Sequence, residues 1–165
     1  MGAVRQLLVL ATLAAVASTS DLLAQARKEP KRPTLAMSRD TNRAAEYYAY
    51  GESVIPTDPR KAADAFYWAS RLDPTWAQPL YARRVALLMA SDPAFLVGYM
   101  DGKRGYTRSK EARRIDSLEL RALMLNPYLN RELDKELLLA YVRALYESST
   151  EYVNLAASLR VQYFV

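Results

Sequence analysis

Lys61 to Ala77 reads KAADAFYWASRLDPTWA. Ala62, Phe66, Ala69 and Leu72 fall at helical spacing, so one face runs small, bulky, small, bulky. Asp73-Pro74 stops the helix at once. A face of this kind belongs to a helix that lies close against a partner, because the alanines let two backbones approach while the larger side chains fill the space between them.

Toward the N-terminus, the spacing predicts a first helix over about Thr41 to Val54, capped by Asp40 or Thr41. Tyr47, Tyr50, Gly51 and Val54 share one of its faces. Glycine inside a helix costs about 1 kcal/mol relative to alanine, so Gly51 marks a point where a neighbouring helix must come close. Ile55 to Pro59, IPTDP, is a turn; Thr57 or Asp58 caps the next helix, and Pro59 takes its first position, where a missing N–H does no harm. The second helix, Pro59 to Leu72, carries the quoted stretch.

Toward the C-terminus, Thr75 can cap a third helix with Pro79 in its first turn and a broad apolar face of Leu80, Tyr81, Val85, Leu87 and Leu88. Ser91-Asp92-Pro93 ends it and caps a short fourth helix, Pro93 to Tyr99. Met100 to Thr107, MDGKRGYT, reads as a loop. A fifth helix is predicted over about Ser109 to Leu125, with Ile115, Leu118, Ala122 and Leu125 as its stripe and Asn126-Pro127 as its stop. Asn130 caps a sixth, Arg131 to Glu147, and Ser148-Ser149-Thr150 starts a seventh carrying Tyr152, Leu155, Ala156, Leu159 and Tyr163 on one side. No window alternates at period two for long enough to suggest a strand, so the expected fold is all-α.

Reading back from Pro74, the spacing Ala62, Phe66, Ala69, Leu72, Pro74 resembles the second half of a tetratricopeptide repeat, and Tyr47, Tyr50, Gly51 and Val54 resemble its first half. The two halves cover Ala44 to Trp76, with a turn one residue shorter than the family pattern. Further copies are degenerate. Ile115, Ala122, Leu125 and Pro127 sit at matching offsets, but Glu119 holds the usual aromatic position. The helix from Ala77 looks like another first half, but Arg84 stands where glycine should be. Pro127 follows Pro74 by 53 residues, against roughly 34 for this repeat, and the fourth helix and the glycine loop fill the excess. The resemblance implies antiparallel helix pairs stacked as a short α-solenoid with a concave groove. By position, the groove would be lined by Ala45, Tyr48 and Glu52 on the first helix and by Gln78, Tyr81 and Val85 on the third. Tyrosines suit peptide recognition, offering area and a hydroxyl at low entropic cost, although twelve of them also fit ordinary half-buried packing. The family's paired basic clamp for a carboxylate is not evident; Arg83 and Arg84 serve that role only if they face the groove.

The N-terminus has the form of a secretory signal peptide over residues 1–26: Arg5, then the apolar run QLLVLATLAAVA, then a polar break and Ala24-Gln25-Ala26, with cleavage expected after Ala26. That run is shorter than the roughly 20 residues needed to span a bilayer, so an uncleaved anchor is the lesser reading. Residues 27–39 follow as a basic, proline-containing linker and 40–165 as the helical domain. The implied location is the periplasm or the exterior. The 165-residue chain has no cysteine and no histidine, which excludes disulfides, thiol chemistry and Cys-type zinc sites, and removes the commonest general base and metal ligand. No catalytic residue, metal or cofactor is expected. Its net charge of +5 implies no more than a mild preference for anionic surfaces such as a membrane.

Lys103, Arg104, Arg108, Lys110, Arg113 and Arg114 form the densest basic patch, interleaved by Tyr99 and Tyr106. Such a patch suits an acidic peptide, a phosphate or a lipid headgroup, or is simply a solvated face; export argues against nucleic acid. Asp101 to Gly105 lacks the strand context of a phosphate-binding loop. Glu132 and Glu136 share a helix face, but Arg131, Lys135 and Arg143 beside them favour surface ion pairing. Ser109 and Lys110 are adjacent on a helix and so do not face each other. The expected function is therefore a non-catalytic scaffold that binds a protein or peptide. The alternatives are an accessory region of a larger envelope enzyme and a structural subunit of a membrane complex held by an uncleaved N-terminal helix.

Overall fold

The computed structural model describes residues 29–36 and 40–163, from 150 onward as backbone only. Lys31–Val165 forms one compact unit; Met1–Pro30 is a second, of which only Glu29 and Pro30 are described. The expected signal peptide and cleavage site lie outside the described residues, as does the side-chain pattern expected beyond Thr150. Seven helices and no strands are present among the described residues: α1 (Ala44–Val54), α2 (Pro59–Leu72), α3 (Gln78–Met89), α4 (Pro93–Met100), α5 (Arg104–Thr107), α6 (Lys110–Leu125) and α7 (Asp134–Tyr163). The protein is all-α and its helices pack in pairs.

The quoted stretch forms α2 with the predicted bounds. Asp58 caps it, its side chain accepting from the Lys61 N–H at 3.0 Å, and Pro59 opens it. Ala62, Ala63, Ala65, Phe66 and Ala69 are all buried. One side of α2 packs on α1 and another on α3. Gly51 of α1 sits directly on the Phe66 ring. Helix α3 is the most enclosed element. It contacts α2, α6 and α7, and Leu80, Tyr81, Val85, Ala86 and Leu88 are buried along it. Helix α4 lies against α7. Three tyrosine hydroxyls tie these helices through aspartates: Tyr81 donates to Asp134 at 2.7 Å, Tyr99 to Asp116 at 2.5 Å and Tyr141 to Asp101 at 2.6 Å.

Several elements differ from expectation for local reasons. Helix α1 begins at Ala44 because Asp40 is used in a turn, accepting from Asn42 N–H at 2.9 Å. Helix α3 begins at Gln78 with no side-chain cap, since Thr75 is held in an Asp73 turn through its N–H (3.0 Å) and its hydroxyl (2.7 Å). The expected loop at Met100–Thr107 contains the turn of helix α5; Tyr106 anchors it edge-on to Phe95 with ring centroids 6.1 Å apart. Gly102, at φ +71°, supplies the left-handed residue that ends α4. The sixth and seventh helices are one element, α7. Ser148 and Ser149 do not break it, because their hydroxyls bond back to the carbonyls of Ala144 (2.8 Å) and Tyr146 (2.7 Å). Helix α7 also starts later than expected, so Asn130 to Leu133 precede it.

Part of the stretch read as a linker packs on the first hairpin. Leu35 is buried in a small cluster with Tyr47 and Ala69. The Arg32 guanidinium stacks 5.1 Å from the centroids of both Tyr47 and Trp68, and its Nε donates to the Tyr47 hydroxyl at 2.7 Å.

Candidate functional site

The sequence-predicted groove is partly assembled. Tyr48 and Glu52 project from α1 one turn apart, and Gln78 is the first residue of α3. With Asn130, Glu132 and Leu133 they line a concavity of about 220 Å³. Tyr48 is fixed from behind, its ring 5.4 Å from Phe66 and 4.8 Å from Trp76. Gln78 donates through Nε2 to the Asn130 carbonyl, joining α3 to the segment before α7. Burial pushes the Tyr48 hydroxyl well above the usual phenol range; the Glu52 and Glu132 carboxylates add to this and the Gln78 amide opposes it. The concavity is thus aromatic on one wall, with two carboxylates and two carboxamide residues around it and no Lys or Arg among the described residues that line it. Such a lining suits amide and cationic groups.

The other predicted groove residues lie elsewhere. Tyr81 is 1% exposed and its hydroxyl is committed to Asp134, so it is core. Burial, then the Asp134 bond, raises its pKa. Val85 is fully buried. Arg84 does not face the groove. Its Nε lies 3.1 Å from Glu119 Oε2 on α6, and Arg131 reaches the other oxygen of Glu119 at 3.3 Å. Glu132 was expected to pair on a helix surface, yet it precedes α7 and lines the concavity. Asn130, Glu132 and Leu133 are the members that sequence reasoning missed. They reach α1 and α3 only through tertiary packing.

The residues of the basic patch are dispersed over a turn and two helices. Lys103 pairs with Asp101 at 3.3 Å, while Arg104, Arg108, Lys110 and Arg113 are exposed along α5 and the start of α6. Ser109 caps α6, its hydroxyl accepting from Ala112 N–H at 3.0 Å. Among the described residues no group of three or more acidic, histidine or cysteine side chains is placed to hold a metal, and no helix is long and apolar enough to cross a membrane. Comparison with protein-family models, characterised proteins and solved structures returned no match.

Proposed function

We propose that this protein is an exported, tetratricopeptide-like helical adaptor that binds a protein or peptide partner in the cell envelope and catalyses nothing. The observation that carries the reading is the convergence of Tyr48, Glu52 and Gln78, on the first helices of two successive pairs, around one concavity. The repeat reading is supported by one positional coincidence. Gly51 meets Phe66 between α1 and α2, and Arg84 and Glu119, which hold the equivalent sequence positions, meet between α3 and α6. Export is supported by the pattern of residues 1–26, and the absence of enzymatic chemistry by the lack of any cysteine or histidine. With two carboxylates and no cation among the described residues of its lining, the concavity is complementary to a basic or amide-rich segment of the partner.

The test is affinity capture from envelope extract with the full chain, comparing wild type with Glu52→Lys and Glu132→Lys. Both residues are exposed, so these changes reverse charge without disturbing packing. A partner retained by wild type and lost by both variants is the expected result. Retention of the same proteins by all three refutes the groove reading.

One observation favours a second reading, a subunit of a larger assembly. Leu120, Met124 and Tyr128 near the end of α6, and Leu138, Leu139, Val142 and Tyr146 on α7, are all more than half exposed, a density of apolar surface that marks association sites. Sedimentation analysis of the purified full chain separates the two: a monodisperse monomer favours the adaptor, a stable oligomer the subunit.

A further inference from the structure

We propose that the face of the α1–α2 hairpin covered by residues 31–36 is a recognition groove for an extended partner peptide with an arginine and a leucine three residues apart, and that residues 31–36 occupy it in cis as an exchangeable cover. These residues belong to the same compact unit as the helices and form neither helix nor strand. Pro33 biases the preceding Arg32 toward extended backbone, so the segment meets the hairpin as an open chain read through its side chains. Arg32 is the first anchor. Its guanidinium faces both the Tyr47 and the Trp68 ring at 5.1 Å, donates through Nε to the Tyr47 hydroxyl at 2.7 Å and through a terminal nitrogen to the Thr41 carbonyl. Such a seat selects arginine over lysine, because only a planar guanidinium stacks and hydrogen-bonds through its edge at once. Leu35 is the second anchor, buried in one cluster with Tyr47 and Ala69.

Two observations mark the segment as exchangeable. Arg32 is exposed, so solvent reaches this anchor without any helix moving. A hollow of about 360 Å³ remains where the segment meets the helices, with Pro33 and Thr34 of the segment and Tyr50, Lys61 and Asp64 of the helices in its lining. Chain and hairpin therefore fit at the anchors and not between them, unlike the close packing of a core. A segment tethered beside its own groove competes with a partner at the effective concentration that the tether sets. The apparent affinity for the partner then falls by the fraction of molecules whose groove is open. The inference does not depend on the reading of the Tyr48 concavity, with whose lining this hollow shares no residue.

The experiment titrates the full chain with the synthetic peptide PKRPTLA, the sequence of residues 30–36, followed by amide chemical shifts. Arg32→Ala with Leu35→Ala removes both cis anchors, and Arg32→Lys weakens the first alone. Thermal melts verify that each variant is folded, and Arg32→Lys carries the comparison if the double variant is not. Saturable shifts at Tyr47, Trp68 and Ala69 are expected in all three proteins. Wild type should bind about tenfold more weakly than the double variant, with Arg32→Lys between them. The peptide bearing Arg32→Ala and Leu35→Ala should not bind. Shifts centred on other residues, equal binding of the alanine peptide, or no binding by the variants overturn the proposal. So does a wild type still unbound at about a hundred times the Kd of the double variant, which makes the segment a fixed part of the fold. Sedimentation covers the remaining occupant: a wild-type dimer abolished by the double variant means that two copies exchange their segments, and overturns the partner peptide.

Discussion

Gly51→Ala sets two effects of opposite sign against each other in the helix pair that supports the concavity. Helix propensity alone makes the change favourable by about 1 kcal/mol, since alanine is the better helix former. Packing opposes it. A Cβ at position 51 would stand 2.5 Å from Phe66 Cε1 and 2.8 Å from Cδ1 and Cζ, about 1 Å inside the optimal separation of two carbons. Phe66 is fully buried, and its ring cannot swing aside without displacing Tyr48, whose own ring is backed by Trp76. Overpacking of a closed core costs roughly 1–3 kcal/mol. The clash therefore outweighs the gain over most of that range, and the net loss is up to roughly 2 kcal/mol.

Thermal and urea unfolding of the full chain, followed by circular dichroism, measures this directly. A loss of up to about 2 kcal/mol lowers Tm by up to roughly 8 °C for a unit of this length. The deciding comparison is the same substitution in a Phe66→Leu background. The shorter side chain clears the space, so only propensity remains and Gly51→Ala should raise Tm there. A gain in stability in the wild-type background, or the same change in both backgrounds, would refute the argument that close approach to Phe66 is what requires glycine.

Glu119→Ala should cost about 3 kcal/mol, the scale for leaving one member of a largely buried pair uncompensated, because the Arg84 side chain is only 13% exposed. A loss under about 1 kcal/mol in the same unfolding assay would place the pair with ordinary surface ion pairs. Asp64→Asn should stabilise the protein at neutral pH. Burial raises the Asp64 pKa despite the opposing pull of Arg83, with Asp58 adding to the rise, so the folded state binds the proton more tightly than the unfolded state. Wild-type stability therefore rises as pH falls through the raised folded pKa toward the ordinary value of 3.8. The advantage of the asparagine variant should fade over the same window and vanish below it in Tm measured against pH; a variant less stable than wild type at pH 7 would mean that attraction to Arg83 dominates.

The parts of the fold legible from sequence are those bounded by residues with one structural meaning. Helix α2 has the predicted ends because Asp58 caps its first turn with Pro59 at the first position, and Pro74, which cannot continue a helix, follows the last turn. Its buried alanines follow from spacing alone. Serine is a weaker signal. Ser148-Ser149-Thr150 reads as a break until the hydroxyls are seen bonding back to the preceding turn, which satisfies them inside the helix. The site was legible only on α1 and at the start of α3, where periodicity places Tyr48, Glu52 and Gln78 on one face. Tyr81 obeys the same periodicity but is lost to the core, because α3 is covered by three helices and has no free groove face at that level. Glu132 and Asn130 were invisible for the opposite reason. Their role depends on a return of the chain to α1 and α3 that no local pattern encodes.

In the repeat reading proposed above, Arg84 and Glu119, the two departures from the pattern, complement each other. Arg84 holds the sequence position of Gly51 and Glu119 that of Phe66. Taken singly, each substitution is ruinous to a tight helix pair: arginine in place of glycine brings a long cation into a gap sized for a hydrogen atom, and glutamate in place of phenylalanine removes the ring that fills the core and leaves a charge there. Together they are self-consistent. The small-and-large pair between α1 and α2 becomes a long cation and a carboxylate between α3 and α6, at 3.1 Å and only 13% and 25% exposed. Helices α4 and α5 intervene in the chain without separating that pair. Arg131 completes the arrangement by binding the second oxygen of Glu119 from the segment leading to α7. The same segment supplies Asn130 and Glu132 to the concavity. The Arg84–Glu119 pair thus helps to position the residues that close the candidate site.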